Sequence, residues 1–98
     1  MKIKVYADPG HAWAVVPRKL LHKLGIAEKI TPYSYARGDK VYLEEDCDLD
    51  TFCRALEAHN TPYTFTEMVK KFSPHGDRRS RIRSYNRYFP EVSHAKPV

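Results

Sequence analysis

Apolar and polar residues alternate at the start of the chain, within Lys2–Ala7. In Lys2–Ala7, Ile3 and Val5 share one side of an extended chain, which predicts a β-strand. Ala12–Val16 predicts a second strand, and the Asp-Pro-Gly sequence at 8–10 has the proline and glycine that a type II turn requires. This pattern predicts a β-hairpin at the start of the chain.

A helical period follows the hairpin. Leucines at positions 20, 21 and 24 form one apolar stripe, and Pro17 suits the first turn of a helix. Gly25 can adopt the left-handed conformation that ends a helix, with Ile26 placed to contact Leu21 as in a Schellman motif. We therefore expect a short helix that ends at Gly25.

The succession of hairpin and helix then recurs. Tyr33–Ala36 and Lys40–Glu45 predict two strands joined by a turn at 37–39. Apolar residues at 49, 52, 53 and 56 predict a helix that Asp48 caps and that ends near Asn60. Tyr63–Val69 predicts a fifth strand.

These elements predict one α+β domain in the order ββα-ββα-β. We expect two layers, a mostly antiparallel sheet with both helices on one face. A chain of 98 residues has room for one domain only. Within it, residues 1–72 form the α+β body. Residues 73–98 form a basic and aromatic C-terminal segment that is docked or partly disordered and is not a separate domain.

The charge of the chain is distributed unevenly. Residues 1–69 carry nine Lys and Arg against ten Asp and Glu, whereas residues 70–89 carry seven against one. This asymmetry indicates an anionic partner for the C-terminal segment, and it does not bear on the fold.

The basic stretch between residues 78 and 89 contains arginine and no lysine. Guanidinium groups bind phosphate or carboxylate through two parallel hydrogen bonds, and the tyrosines between them can stack on bases or fill a protein pocket. Both a helix and a strand fit the spacing. The predicted partner-binding residues are Arg78, Arg79, Arg81, Arg83, Tyr85 and Arg87.

The leading hypothesis for the partner is nucleic acid, or a host complex that handles nucleic acid. If five arginines contact duplex phosphates, log K should fall against log salt with a slope of about −4 to −5.

A second hypothesis assigns the partner to the acidic stretch EEDCDLD at 44–50, as in a stoichiometric inhibitor of a host protein. The arginines would then form a structural clamp paired with these acids, and Ile82 and Phe89 would complete the core. The residues of this alternative acidic face are Glu44, Glu45, Asp46, Asp48 and Asp50.

The DPGH sequence at 8–11 resembles the opening of zinc-dependent cell-wall amidases, in which the histidine binds the metal. A catalytic zinc site needs three protein ligands, and the histidines at 22, 59, 75 and 94 show no ligand spacing. Ala12 and Trp13 stand where those enzymes have a glycine pair. A hairpin turn explains the sequence better, and we expect no zinc ligand at His11.

Two further chemical patterns have simpler structural explanations. Acids at 46, 48, 50 and 57 match positions 1, 3, 5 and 12 of an EF-hand loop, but Thr51 stands where that loop needs glycine. Cys53 falls on the apolar side of the predicted helix, and Cys47 has no adjacent His or Lys that would make it a nucleophile. We therefore predict no metal, no cofactor and no catalytic activity.

Three stretches resemble a family of small proteins encoded by tailed bacteriophages, generally without an assigned function. They are DPGHAW at 8–13, LGIAEKITPYSYARGDKVYLEEDCD at 24–48 and SRIRSY at 80–85. The resemblance implies a protein made in the cytoplasm of an infected bacterial cell, and it transfers no binding or catalytic residue. Small phage proteins of this class often bind host enzymes, nucleic acid or defence complexes.

Targeting signals are not indicated. The longest apolar runs fall far short of the ~18 residues that span a membrane, and MKIKVYADPG lacks the apolar stretch of a signal peptide. We therefore expect a non-catalytic cytoplasmic binding protein with reduced cysteines, no membrane partner and no small-molecule substrate.

Overall fold

The computed structural model of this protein describes residues 1–7, 10–69, 82 and 85–90. Six strands and two helices lie within these ranges. Their bounds are β1 Lys2–Ala7, β2 Ala12–Pro17, α1 Arg18–Lys23, β3 Tyr35–Arg37, β4 Lys40–Glu44, α2 Asp48–Ala58, β5 Thr64–Val69 and β6 Asn86–Arg87, with a 3₁₀ turn at Ala27–Lys29.

The strands form one mixed sheet in the order β5-β1-β2-β4-β3-β6. Neighbouring strands are antiparallel except for β1 and β5, which are parallel. The α+β class that the sequence predicts is confirmed. β5 pairs with β1 in parallel, and the C-terminal segment adds a sixth strand, β6, to the five that were predicted.

The parallel pairing follows from where β5 starts. The amino group of Met1 donates to the carbonyl of Pro62 at 3.0 Å, and the Thr64 N–H donates to the Met1 carbonyl at 2.8 Å. Because α2 separates β4 from β5, the chain enters the sheet again beside its own first residue and runs in the same direction as β1.

The two predicted hairpins are present. β1 and β2 are in register from Lys4 opposite Val15 to Ala7 opposite Ala12, so residues 8–11 connect them. Asp8 and Pro9 lie outside the described residues, and the predicted type II turn with them. β3 and β4 meet across the turn at 38–39, where Gly38 has a φ of +61° that favours glycine. β3 begins two residues later than predicted.

The end of α1 matches its prediction. Pro17 precedes the helix with a φ of −69°, and Gly25 follows it with a φ of +76°. The Ile26 N–H donates to the Leu21 carbonyl at 2.9 Å, and the Gly25 N–H donates to the His22 carbonyl at 3.0 Å. These two bonds define the Schellman motif, which satisfies carbonyl groups that a helix end leaves without partners.

The start of α2 differs from its prediction. Cys47, not Asp48, occupies the N-cap position, and its side chain makes no capping hydrogen bond. Asp48 is the first helical residue and is fully buried. Its carboxylate binds the loop before β3, as described below. The other end is as predicted, since Asn60 adopts a φ of +54° directly after the last turn.

The largest hydrophobic cluster contains buried residues of both helices and of the strands. Leu21 of α1 and Phe52 and Leu56 of α2 are fully buried in it. The strand residues that contact them alternate along β1, β2 and β4, and they are Ile3, Ala14, Val16, Val41 and Leu43. Among the helices described, none has the length and apolar character needed to cross a membrane.

Candidate functional site

The opposite side of the sheet carries aromatic and basic side chains. Strand register places Arg87, Tyr35, Tyr42 and Val15 in one row across four strands, and Lys4 continues the row on β1. We call this side the aromatic face. By the alternation of the strands it comprises Lys2, Lys4, Tyr6, Trp13, Val15, Tyr35, Arg37, Lys40, Tyr42, Glu44 and Arg87.

The centre of the aromatic face is buried. Trp13 packs edge-on against Tyr35 with ring centroids 6.2 Å apart, and Tyr42 packs against Tyr85 at 5.1 Å. Ile82 is fully buried in the same cluster. Burial and the nearby Tyr85 raise the pKa of the Tyr42 hydroxyl. Ile82 and Tyr85 therefore cover the middle of this face, and Trp13, Tyr35 and Tyr42 serve there as core residues.

The rim of the aromatic face is cationic. The guanidinium groups of Arg37 and Arg87 lie 5.0 Å and 4.8 Å from the ring centroids of Tyr85 and Tyr35. The ammonium group of Lys4 lies 6.0 Å from the ring of Tyr6. All three cations are exposed. Stacking on a ring holds a guanidinium flat and directs its N–H groups outward, where they can bind an anion.

These cations are not neutralised within the part of the chain that the structure describes. The single ion pair found there joins Asp50 to Arg54 on α2, with Nε and Oδ2 2.8 Å apart. Arg87 also donates through Nη1 to the Pro32 carbonyl at 3.3 Å, which fixes its side chain without cancelling its charge. The aromatic face is therefore a surface on which positive charge is held in fixed positions.

The structure describes two of the six predicted partner-binding residues. Tyr85 lies over Tyr42, and Arg87 lies on β6 against Tyr35. Arg78, Arg79, Arg81 and Arg83 lie outside the described residues, as does half of the stretch 78–89 that fits either a helix or a strand. Residues 86–87 are a strand.

Tyr88 anchors the C-terminal segment to the body. Its side chain is fully buried, and its hydroxyl donates to the Ala27 carbonyl at 2.6 Å. Its N–H donates to the Ser34 carbonyl at 2.8 Å. The clamp hypothesis predicts a buried Phe89, which is wrong, since Phe89 is 63% exposed. Strand alternation explains the difference, because Arg87 faces the aromatic side and its neighbour Tyr88 must face the core.

The predicted acidic face is divided by burial. Asp48 is fully buried and accepts hydrogen bonds from Thr31 and Ser34, and Glu44 is 8% exposed and accepts from the N–H groups of Asp46 and Cys47. These two carboxylates hold the chain in place and do not face a partner protein. The acids left on the surface are Glu45, Asp46 and Asp50.

The EF-hand pattern at 46–57 does not form a loop. The chain is helical from Asp48, so Thr51 lies within α2. His11 is exposed and lies beside Trp13, with ring centroids 6.0 Å apart. The described residues contain no group of three or more His, Cys, Asp or Glu that could hold a metal ion.

Cys47 is exposed but is a poor nucleophile. Desolvation, followed by the negative charges of Asp48 and Glu44, raises the pKa of its thiol. We expect iodoacetamide to alkylate Cys47 at pH 8 more slowly than a cysteine in an unstructured peptide, because less thiolate is present. Mass spectrometry of tryptic peptides over time gives the rate. A rate equal to that of the peptide would show that the carboxylates have no such effect.

A cavity of about 460 Å³ lies at one end of the aromatic face. The end of β4, the turn at 45–47 and the loop before β3 surround it. Its lining residues are His11, Trp13, Tyr33, Tyr35, Glu44, Asp46, Cys47 and Arg87. It combines flat aromatic walls, carboxylates and one arginine, which are groups that bind planar polar molecules.

Sequence reasoning did not identify several of these residues. Lys4 lies in the polar phase of a strand that was predicted correctly, so the period of two contains part of the signal. Arg37 was predicted in the turn at 37–39 and is the last residue of β3. The alternation of residues along one strand does not show which strands lie side by side. The row from Arg87 to Lys4 depends on that order of strands. Tyr33 was predicted within a strand, and it lies in a turn and is 68% exposed.

Comparison with protein-family models, with curated proteins and with solved structures finds no match to this chain. The geometry of the aromatic face and its cavity is therefore what bears on function.

Proposed function

We propose that this protein binds single-stranded nucleic acid, without catalysis, through the exposed rim of the aromatic face and the arginines of the C-terminal segment. The observation that carries the proposal is the set of exposed cations held on tyrosine rings. Arg37, Arg87 and Lys4 keep fixed positions, and no carboxylate among the described residues pairs with them. Phosphate groups along a strand are the natural ligands of such a row.

Accessible rings favour a single strand over a duplex. Tyr33 is 68% exposed and lines the same cavity as Arg87, and Phe89, two residues after Arg87, is 63% exposed. Unpaired bases stack on exposed aromatic side chains, whereas the base faces of a duplex are covered by their neighbours. Arg78, Arg79, Arg81 and Arg83 lie outside the described residues, and we include them among the partner-binding residues because of their charge.

The arrangement of layers supports this assignment. We propose that α1 and α2 cover the side of the sheet that holds Val41 and Leu43, as a second layer. The exposed rim of the aromatic face is then left for a ligand. The resemblance to bacteriophage proteins fits a role on nucleic acid, or on a complex that handles it, in the cytoplasm of an infected cell.

The alternative, a host-protein inhibitor that uses the acidic stretch 44–50, has less support. Two of its five acids are buried and hydrogen-bonded, and a third, Asp50, is paired with Arg54. Of the five acids, this leaves Glu45 and Asp46 to contact a partner protein.

We expect that changing Arg37 and Arg87 together to glutamine weakens binding of a fluorescein-labelled oligothymidylate. The plot of log K against log salt should also become less steep by about 1.4, because two phosphate contacts in a single strand contribute about 0.7 each. Fluorescence anisotropy at four salt concentrations measures both quantities.

The matched control changes Lys23 and Lys29 to glutamine. Both lysines are exposed and lie outside the aromatic face, at the end of α1 and in the 3₁₀ turn. This control lowers the net charge by the same amount, so binding should weaken less and the slope should change less. Equal slopes in the two variants would mean that net charge, and not this face, attracts the strand.

A further inference from the structure

The cavity beside the aromatic face contains a carboxylate in a fixed position. Glu44 Oε2 accepts the N–H of Asp46 at 2.8 Å, and Oε1 accepts the N–H of Cys47 at 2.9 Å. Each carboxylate oxygen has room for a second hydrogen bond. Since Glu44 is only 8% exposed and lines the cavity, its remaining lone pairs are available to a ligand that enters there.

The walls of the cavity are flat. Glu44 lies directly across the strand pair from Trp13, which packs against Tyr35. Tyr33 stands at the opening with most of its ring exposed. A planar ligand that reaches Glu44 would therefore lie between aromatic surfaces, which favours a nucleobase.

Arg87 supplies the charge that a nucleotide needs. It lines the same cavity, and its stacking on Tyr35 and its bond to the Pro32 carbonyl leave other N–H groups of the guanidinium to donate. A phosphate attached to a base in the cavity would lie within the basic rim of the aromatic face.

Extending the proposed function, on which it rests, we propose that this cavity takes one unpaired guanine base of the bound strand. Guanine has two adjacent donors, N1–H and N2–H, on its pairing edge, and these match the two oxygens of Glu44. Adenine and cytosine place a ring nitrogen acceptor beside their amino group, and thymine places carbonyl oxygens on both sides of its single N–H. Those acceptors would face the carboxylate, so guanine is the base that fits.

The test varies the ligand first, so that it does not depend on the folding of a variant. Fluorescence anisotropy compares dT8 with three oligomers that carry one guanine, one hypoxanthine or one 7-deazaguanine at the fourth position. We expect the guanine and 7-deazaguanine oligomers to bind about tenfold more tightly than dT8, since both keep the two donors. The hypoxanthine oligomer, which lacks N2–H, should lose most of this advantage.

Two variants then assign the preference to a residue. Glu44→Gln should remove the preference for guanine, so that the guanine oligomer and dT8 bind this variant with affinities within about twofold of each other. Asp46→Asn is the matched control, because Asp46 lines the same cavity but is exposed, and it should keep the preference. If Asp46→Asn abolishes the preference and Glu44→Gln does not, the assignment to Glu44 is overturned.

The outcomes separate the two proposals. Binding of dT8 without any preference for guanine would overturn the base pocket and leave single-strand binding intact. Failure to bind any of the four oligomers would overturn single-strand binding itself. The last measurement is the affinity of the protein for free dGMP. An affinity equal to that for the guanine oligomer would mean that the site holds a mononucleotide and not a strand.

Discussion

Replacing Asp48 by alanine should lower the free energy of unfolding by about 3 kcal/mol, because it removes the acceptor of a buried hydrogen-bond cluster. The carboxylate accepts the Thr31 N–H at 3.1 Å, the Thr31 hydroxyl at 2.8 Å and the Ser34 hydroxyl at 2.5 Å. Ser34 Oγ in turn accepts the N–H of Glu44 at 2.9 Å. One side chain therefore joins the start of α2 to the loop before β3 and to the end of β4.

Urea denaturation followed by circular dichroism measures this loss. The matched control is Asp46→Ala, two positions earlier on the exposed turn, for which we expect a change within about 0.5 kcal/mol. Asp48→Asn should fall between the two, since the amide keeps one acceptor oxygen and introduces a donor. Equal stability of the Asp48→Ala and Asp46→Ala proteins would contradict the buried cluster.

Replacing Tyr88 by alanine should lower the free energy of unfolding by about 4 kcal/mol, the size of effect seen when a large aromatic residue is removed from a core. Tyr88 is fully buried among residues of both helices and the sheet, and its hydroxyl is bonded to Ala27. Arg18 adds to the site, with its guanidinium 5.4 Å from the Tyr88 ring centroid and Nη1 3.3 Å from the Phe89 carbonyl oxygen.

Phe89 provides the matched control for Tyr88. It is the next residue and is equally apolar at the ring, but it is 63% exposed, so Phe89→Ala should change stability by less than about 0.5 kcal/mol. Tyr88→Phe should cost about 1 kcal/mol through the lost hydrogen bond alone. If the Tyr88→Ala protein has the same melting temperature as the parent protein, Tyr88 does not anchor the C-terminal segment to the body.

Tyr88 and Ile82 are unsuitable positions for a test of binding. A variant that loses nucleic acid because Tyr88 or Ile82 has been removed would report unfolding and not a lost contact. Arg37 and Arg87 are exposed and stand on rings that remain in place, so they separate binding from folding. The thermal melting curve of the variant in which Arg37 and Arg87 are both changed to glutamine should match that of the parent protein.

Local sequence determined the elements that depend on neighbours along the chain. Gly25 and Asn60 end their helices as predicted, because a left-handed residue with two reverse hydrogen bonds is a property of a few consecutive positions. The first hairpin was predicted for a related reason, since alternation on both sides of turn residues is readable without any distant contact. The apolar stripe that contains Phe52 and Leu56 was read in the same way.

Tertiary structure decided which elements and side chains meet. The pattern of β5 does not state that it will pair with β1 in parallel, and the row from Arg87 to Lys4 exists only in the final strand order. Asp48 and Glu44 read as surface acids, because burial of a carboxylate depends on donors that come from elsewhere in the chain, here Thr31 and Ser34 for Asp48. Tertiary structure also decided that Tyr88 is buried and Phe89 is exposed. The pairing of β6 with β3 fixed which side of the chain faces the core. Periodicity along one chain specifies a strand or a helix, whereas the partner of each face is set by the packing of segments far apart in sequence.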